Sequence, residues 1–404
     1  MKIGSFAQQN HVGIDTIRHY ISLELLFPKR QGVQFEFDER CQSDFNAVIG
    51  LKRLGFSLSE IKKIILIRRL GEMTKFQQDD YYLEIFRGRL KSIEAETKKL
   101  SQFKSLLREE IRGLSSAKDD HALKMGVDLS WLSRLKCPSC GGRLILSEAA
   151  VTDDMVMCGR LHCGCGNEYA IADGILCIDA EAAGKKPPPG IMAYIRNTDS
   201  EYLNQLYKTL EWKTANIGFS DFENRVILDL GSGVGFFLRS IYKDLPASSL
   251  YIAVDNDGSA LRSLKRILER ADIRKNILFV CCDFSHIPLP DESVDILCDM
   301  AGTSNYCFDH EDFLLKTLNP LLKKDSMLIS SFLTFRNFSE NSLIRPACRR
   351  NFREDTVREQ LLQLSFIPEA ENVSAVITKG GIYESYFRPG EKVTIYSFIG
   401  KRSG

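Results

Sequence analysis

The chain has 404 residues, too many for one ordinary domain, and its 44% hydrophobic and 26% charged residues exclude wholesale disorder. Its formal net charge is +1, which excludes a global field that would drive nucleic-acid binding, but the charge is uneven: residues 1–118 hold 21 Lys/Arg against 15 Asp/Glu, and the remainder holds 33 against 38. The opening MKIGSFAQQN has no basic-then-apolar signal pattern, and no apolar run reaches the ~20 residues that cross a bilayer, so a cytoplasmic protein with no membrane partner is expected. Twelve cysteines in that compartment argue against a disulfide framework and, where clustered, point to metal.

The front of the chain reads as DNA-facing. A short helix near Gly4–Gln9, a turn and a second helix near Gly13–Ile21 have helix-turn-helix spacing, and the second helix would lie in the major groove. Pro28 to Phe37 reads as a β-hairpin wing turning at Gly32, with Lys29 and Arg30 as its basic residues. Asp38–Leu54 and Ser57–Arg68 are amphipathic, and Ser57 with Glu60 has capping-box spacing. The segments IGSFAQ, TIRHYISLELLFPKR and LKRLGFSLSEIKKI resemble, in order and spacing, the winged helix of the MerR family of transcription regulators. The resemblance implies a DNA-binding domain over residues 1–75, with Thr16, Arg18, Tyr20, Lys29 and Arg30 against double-stranded DNA. One departure stands out: the family's wing carries an Arg in a Y-R-x-Y pattern, where this chain has Val33-Gln34-Phe35-Glu36-Phe37.

Residues 80–116 form a single long helical pattern. Leu83, Phe86, Leu90, Ile93, Thr97, Leu100, Lys104, Leu107, Ile111 and Leu114 follow alternating three-four spacing, which is a coiled-coil seam. Such a face could also pack on the chain's own rear domain. The family resemblance implies an antiparallel dimerisation helix, hence a homodimer on a two-fold promoter operator. No cysteine lies between Cys41 and Cys137, against a thiolate metal-sensing variant of the family.

A Cys- and Gly-rich block spans residues 132–182. Cys137-x-x-Cys140 and Cys163-x-Cys165 are two knuckles that can place four thiolates around one Zn²⁺. The second is one residue shorter than the common CxxC, so Cys158 or His162 could replace one ligand. The block resembles the zinc ribbon found before some methyltransferase domains, whose Y-x-I-x-x-G-I ending is matched by Tyr169, Ile171, Gly174 and Ile175. The remaining rear cysteines sit singly or in apolar strands and read as core. KKPPPG, Lys185 to Gly190, reads as a stiff spacer.

Residues 191–404 alternate strands and helices, the pattern of a mostly parallel sheet. RVILDLGSGVGFFLRSI reads as strand, D-x-G-x-G-x-G, helix, with Asp229 before Gly231, Gly233 and Gly235. A second strand ends near Asp255, a third at Asp283-Phe284 and a fourth near Asp299. The spacing resembles motif I of class I S-adenosylmethionine-dependent methyltransferases, not the pyrophosphate-cradling G-x-G-x-x-G. The resemblance implies glycines against the methionine and ribose, Asp255 on the ribose hydroxyls, Asp283 at the adenine amino group and Phe284 flanking the ring. Residues 191–222, with Tyr194, Tyr202 and Tyr207, read as a helical cover, and Asn305, Tyr306, Asp309 and His310 as candidates for an acceptor pocket. No catalytic base is recognisable, and methyl transfer from a sulfonium does not require one.

The expected whole is a multidomain protein: an α-helical winged head with a long dimerisation helix, a zinc ribbon and an α/β Rossmann-like methyltransferase domain. Its expected function is transcription regulation, with S-adenosylmethionine as effector or as methyl donor to a small molecule. The alternative is an S-adenosylmethionine-dependent methyltransferase whose helix-turn-helix only localises or dimerises it.

Overall fold

The computed structural model describes residues 1–32, 34–71, 74–116, 123–179, 191–271, 273–384, 386 and 388–403. Two compact units result, Met1–Asp119 and Asp120–Gly404.

The first unit opens with α1 (Ile3–Gln9) and α2 (Ile14–Ser22), followed by a two-stranded antiparallel hairpin, β1 (Lys29–Gln31) and β2 (Gln34–Glu36). Two further helices follow, α3 (Glu39–Arg53) and α4 (Leu58–Leu70). Asp38 caps α3 by accepting from the Cys41 amide at 3.1 Å. The expected capping box starts α4: the Glu60 amide donates to Ser57 Oγ at 3.3 Å, and the Ser57 amide donates to Glu60 Oε2 at 2.7 Å. The core is aromatic, with Phe6 stacked on Phe37 at 4.4 Å and edge-on to Phe45 at 5.8 Å. Asp44, nearly buried, holds α4 to α3 by accepting from Arg68 and Arg69. The long helix α5 (Lys75–Ser116) has 42 residues, about 63 Å at 1.5 Å per residue. Its first turns pack on the head through Phe86 and Phe56, 6.1 Å apart. Beyond them the seam is bare: Leu90, Leu100, Leu107 and Leu114 are each more than half exposed.

The second unit is built on one sheet of 12 strands. Its first part is a small antiparallel set: β3 (Val127–Asp128) and β4 (Leu144–Thr152), both on β5 (Met155–Cys163), then β6 (Glu168–Ala172) and β7 (Ile175–Cys177). After α6 (Ile191–Asn197) and α7 (Ser200–Asn216) come β8 (Val226–Leu230), α8 (Phe236–Ile241), β9 (Leu250–Asp255), α9 (Gly258–Leu268) and β10 (Ile277–Cys281). The remainder is β11 (Val294–Asp299), α10 (Gly302–Cys307), α11 (Leu314–Leu318), β12 (Leu322–Asn337), α12 (Glu354–Gln363), β13 (Phe366–Val373) and β14 (Lys392–Arg402). In space the order runs β10-β9-β8-β11-β12-β14-β13, with β14 antiparallel to both neighbours and the other central pairings parallel. Strands such as VILDL of β8 are buried along their whole length, as a sheet covered on both faces requires.

The cysteine block differs from the expected separate ribbon. Its last strand, β7, pairs in parallel with β10, Phe279 opposite Ile175, so both blocks share the sheet. An apolar three-residue strand finds an open sheet edge beside it, and pairing satisfies both backbones. Side chains fasten the join: the Trp131 indole donates to Asn276 Oδ1 at 2.8 Å, and buried Lys265 of α9 reaches Glu269 at 2.7 Å and Asp173 at 3.5 Å. The stretch read as a spacer, Lys185 to Gly190, lies outside the described residues.

Candidate functional site: a glycine crevice, an apolar cavity and a four-thiol cluster

The turn after β8 is shaped by three glycines with positive φ: Gly231 at 63°, Gly233 at 50° and Gly235 at 74°. Each lies in the region where a Cβ is disfavoured. A Cβ on Gly231 would stand 3.5 Å from the Gly302 Cα and 3.6 Å from the Phe284 ring, filling the crevice between the ends of β8, β10 and β11. The Gly233 amide donates to Asp255 Oδ2 at 2.8 Å, and the Asp257 amide donates to its Oδ1 at 2.9 Å. Both oxygens are thus fixed at the end of β9.

Asp229 faces inward. It accepts from Ser232 Oγ at 2.8 Å, and burial pushes its carboxyl up to about 7, with Asp299 and Asp255 adding repulsion. Its visible work is to fix the turn. Asp283 lies exposed at the end of β10, its Oδ1 accepting from the amide and hydroxyl of Ser285 at 2.9 and 2.6 Å. Partial burial opposes its ionisation, but those bonds and His286 prevail and hold it below the usual carboxylate range. Sequence reasoning missed a neighbour: Asp179, just past β7, accepts from the Asp283 amide at 2.8 Å and lies 2.9 Å from His286 Nδ1.

Beside the crevice is a cavity of about 350 Å³ under α6 and α7, walled by Tyr202, Phe236, Met300 and Phe332 among others. Residues 191–222 are largely helical, as expected, and of their three tyrosines Tyr202 and Tyr207 line the cavity, whereas Tyr194 does not and donates to Glu384 Oε1 at 2.6 Å. Asn305, Tyr306, Asp309 and His310 do not line it; Tyr306 and His310 instead stack on each other at 3.9 Å. Ala301, on the wall, has φ 139°, a strained setting for a residue with a Cβ and of the kind that gathers at functional sites. Lys213 of α7 also lines the cavity. Its signal was legible: Tyr202, Leu206, Thr209 and Lys213 share one helical stripe, which puts a lysine on the inward face.

The sulfurs of Cys137, Cys140, Cys163 and Cys165 lie within 4.8 Å of one another. The Cys137–Cys165 and Cys140–Cys163 pairs are 3.8 and 3.4 Å apart. A tetrahedral site with Zn–S near 2.3 Å has sulfur–sulfur edges of about 3.8 Å, so donor type and spacing both suit Zn²⁺. Burial works against ionisation of Cys137, but the Tyr169 hydroxyl, 3.2 Å away, and the Ser139 and Cys140 amides prevail and bring its thiol down to about 6. The two alternative ligands are elsewhere: His162 contacts Ser147 and Glu168, and Cys158 is outside the cluster.

On the first unit, Arg18, Lys29 and Arg30 are exposed, Thr16 is half-buried and Arg18 pairs with Asp15 at 3.3 Å. Tyr20 is the least exposed of the five. The residue is only 3% exposed, packed in the aromatic core, and His19 beside it is exposed.

Spatial order, glycine turn and crevice define the rear as a class I methyltransferase domain, preceded by a four-cysteine cluster and a helix-turn-helix head. Residues 227–325 match the family described as "Methyltransferase domain", and residues 1–66 match "MerR HTH family regulatory protein". The chain therefore carries a MerR DNA-binding domain at its N-terminus and an S-adenosylmethionine-dependent methyltransferase domain at its C-terminus. A search of curated proteins finds no match. Among solved structures, the chain is similar to a SAM-dependent methyltransferase from Aquifex aeolicus at 18% identity over 50% of this chain and 93% of that one, TM-score 0.32. It is also similar to M. jannaschii TYW2 in complex with AdoMet, at 14% identity over 51% and 78%, TM-score 0.31. The cyclopropane synthase MmaA2 from Mycobacterium tuberculosis is similar at 11% identity over 48% and 84%, TM-score 0.35. Among the described residues no helix is long and apolar enough to cross a membrane.

Proposed function

We propose that the protein is a homodimeric transcription regulator whose C-terminal domain takes S-adenosylmethionine and a small-molecule methyl acceptor. The observation that carries this reading is a glycine crevice with an adjoining 350 Å³ cavity on the same chain as a well-packed DNA head. A volume of about 300–1,000 Å³ is typical of small-molecule sites, which favours a small molecule over a macromolecular acceptor.

In this reading Gly231, Gly233 and Gly235 admit the methionine and ribose, Asp255 holds the ribose, and Asp283 and Phe284 meet the adenine; Asp229 fixes the turn. Cys137, Cys140, Cys163 and Cys165 hold a structural Zn²⁺, since all four positions are filled by protein. Thr16, Arg18, Tyr20 through its hydroxyl, Lys29 and Arg30 meet DNA, and the bare seam of α5 pairs with a second copy. Ligand binding regulates only if it favours one of two arrangements of the DNA-bound dimer.

The cavity also favours a second reading, an enzyme that the head merely localises. Footprinting of the dimer on DNA upstream of its own gene, with and without S-adenosylmethionine, decides between them. A specific footprint that changes with the ligand supports the regulator. A footprint indifferent to S-adenosylmethionine, and to the acceptor as well, rejects ligand control. No footprint in any condition rejects the regulator and leaves the enzyme.

A further inference from the structure

The cavity beside the glycine crevice is apolar on most sides, yet a lysine stands in its wall. Lys213 has no solvent-exposed surface, and its ammonium nitrogen donates to the hydroxyl of Ser331 on β12, also a wall residue. The ionisable groups that face it are Asp299 and Cys298, both at the end of β11 and both buried. Neither is joined to it by an ion pair or hydrogen bond among the described residues. An ammonium has three donors, and Ser331 uses one. Unmatched polar groups in a dry wall are costly, so a short shift of the amine into the cavity, where a ligand offers an acceptor, would be favourable. Burial pushes Lys213 down to about 7, with Asp299 pulling the other way, so the amine gains or loses a proton readily near neutrality.

The rest of the wall says what surrounds that acceptor. Phe236, Phe237 and Phe332 lie along it, Phe236 half-buried and the other two almost fully buried, and no carboxylate lines the cavity among the described residues. A cationic amine would find no counter-charge on the wall itself; a flat apolar ring bearing one acidic oxygen matches both features.

We propose that this cavity binds a phenol, its ring among Phe236, Phe237 and Phe332 and its oxygen at Lys213 and Ser331. The inference rests on the reading of the cavity as the methyl-acceptor site. Neutral Lys213 takes the phenol proton and becomes an ammonium paired with the phenolate. The phenolate oxygen then forms a bond to the methyl carbon of the sulfonium donor as the carbon–sulfur bond breaks, its electron pair staying on sulfur. The products are an aryl methyl ether, the thioether of the donor and a proton released from Lys213. Ser331 is a positioning residue for the amine.

The test uses the full chain without any methyl donor and 4-nitrophenol as probe, at a pH below the probe's own ionisation. Binding beside Lys213 converts neutral probe to phenolate paired with the ammonium, its proton passing to the amine or, where the amine is already charged, to solvent, and its visible absorption reports the change. The wild-type protein should produce that band saturably, and Lys213→Met should abolish it while weakening probe binding about tenfold to a hundredfold, the scale of a lost charge-assisted hydrogen bond. The non-ionisable 4-nitroanisole should bind both proteins alike, which also shows that Lys213→Met keeps the cavity. Ser331→Ala, a smaller change, should weaken the band without removing it. Three results would overturn the proposal: no phenolate band in the wild type, an equal band in Lys213→Met, or tighter binding of 4-nitrobenzoate than of 4-nitrophenol. Calorimetry with S-adenosylmethionine on the same preparations is read separately. Its failure rejects the methyl-donor reading whatever the phenol does, and its success with no phenolate band rejects the phenol alone.

Discussion

Replacing Gly235 with alanine is expected to destabilise residues 120–404 by about 2–5 kcal/mol, because two costs combine. Gly235 sits at φ 74°, where a Cβ costs about 1–2 kcal/mol. That Cβ would also come within 2.3 Å of Leu264 Cδ1 and 2.9 Å of its Cδ2. Leu264 is fully buried on α9, so the clash is relieved only by displacing core, and such overpacking costs about 1–3 kcal/mol. Gly390→Ala separates the two, since Gly390 has φ 91° but nothing within 4 Å of its would-be Cβ. It should lose only the backbone cost of about 1–2 kcal/mol. Both tryptophans, Trp131 and Trp212, belong to the second unit, so urea unfolding followed by intrinsic fluorescence reports that unit without the head. The double variant Gly235→Ala/Leu264→Ala should be less destabilised than the sum of its parts, by about the overpacking cost of 1–3 kcal/mol. Equal losses in Gly235→Ala and Gly390→Ala, with additive behaviour in the double variant, would refute the argument, since the Leu264 contact would then cost nothing.

Lys213, pushed down to about 7 from an ordinary 10.5, makes the unfolded chain hold the extra proton between those values, so it makes stability rise with pH across that window. Lys213→Met should remove that part of the slope in fluorescence-monitored unfolding at neutral and alkaline pH; an unchanged slope contradicts a buried lysine. The purified chain should carry one zinc by elemental analysis, and Cys137→Ser or Cys163→Ser should lose it and unfold at lower urea. Full zinc content in either variant would exclude that thiol as an essential ligand. Sedimentation should give twice the 45.8 kDa chain mass, and Leu90→Asp/Leu100→Asp on the bare seam of α5 should give the single mass with the head still folded. A variant that stays dimeric would move the interface elsewhere.

What was legible in the sequence was local, and what was missed was set by contacts far apart in the chain. The capping box of α4 needs only Ser57 and Glu60, and the glycine turn after β8 needs only the run from Asp229 to Gly235; both appear where the spacing put them. The burial of the Tyr20 ring was not legible, because Phe6 and Phe45 build the core around it from other segments. Lys213 shares an inward stripe with Tyr202, but the wall opposite, with Met300, Ala301 and Phe332, comes from residues more than 80 positions later. The docking of β7 on β10 joins residues 175–177 to 279–281, and no local pattern announces which sheet edge a three-residue strand will choose.

That join has a functional corollary. Strand β7 leads directly into Asp179, whose carboxylate accepts from the amide of Asp283 and reaches His286. In the proposed site, the loop that meets adenine is therefore held partly from the cysteine block, within one continuous sheet. If the four thiolates keep that block folded, metal loss should loosen the adenine end, where Asp179 accepts from the Asp283 amide. Measured by calorimetry, Asp179→Ala should then weaken binding of adenosine and of S-adenosylmethionine by the same factor, since both carry the adenine that this loop would hold.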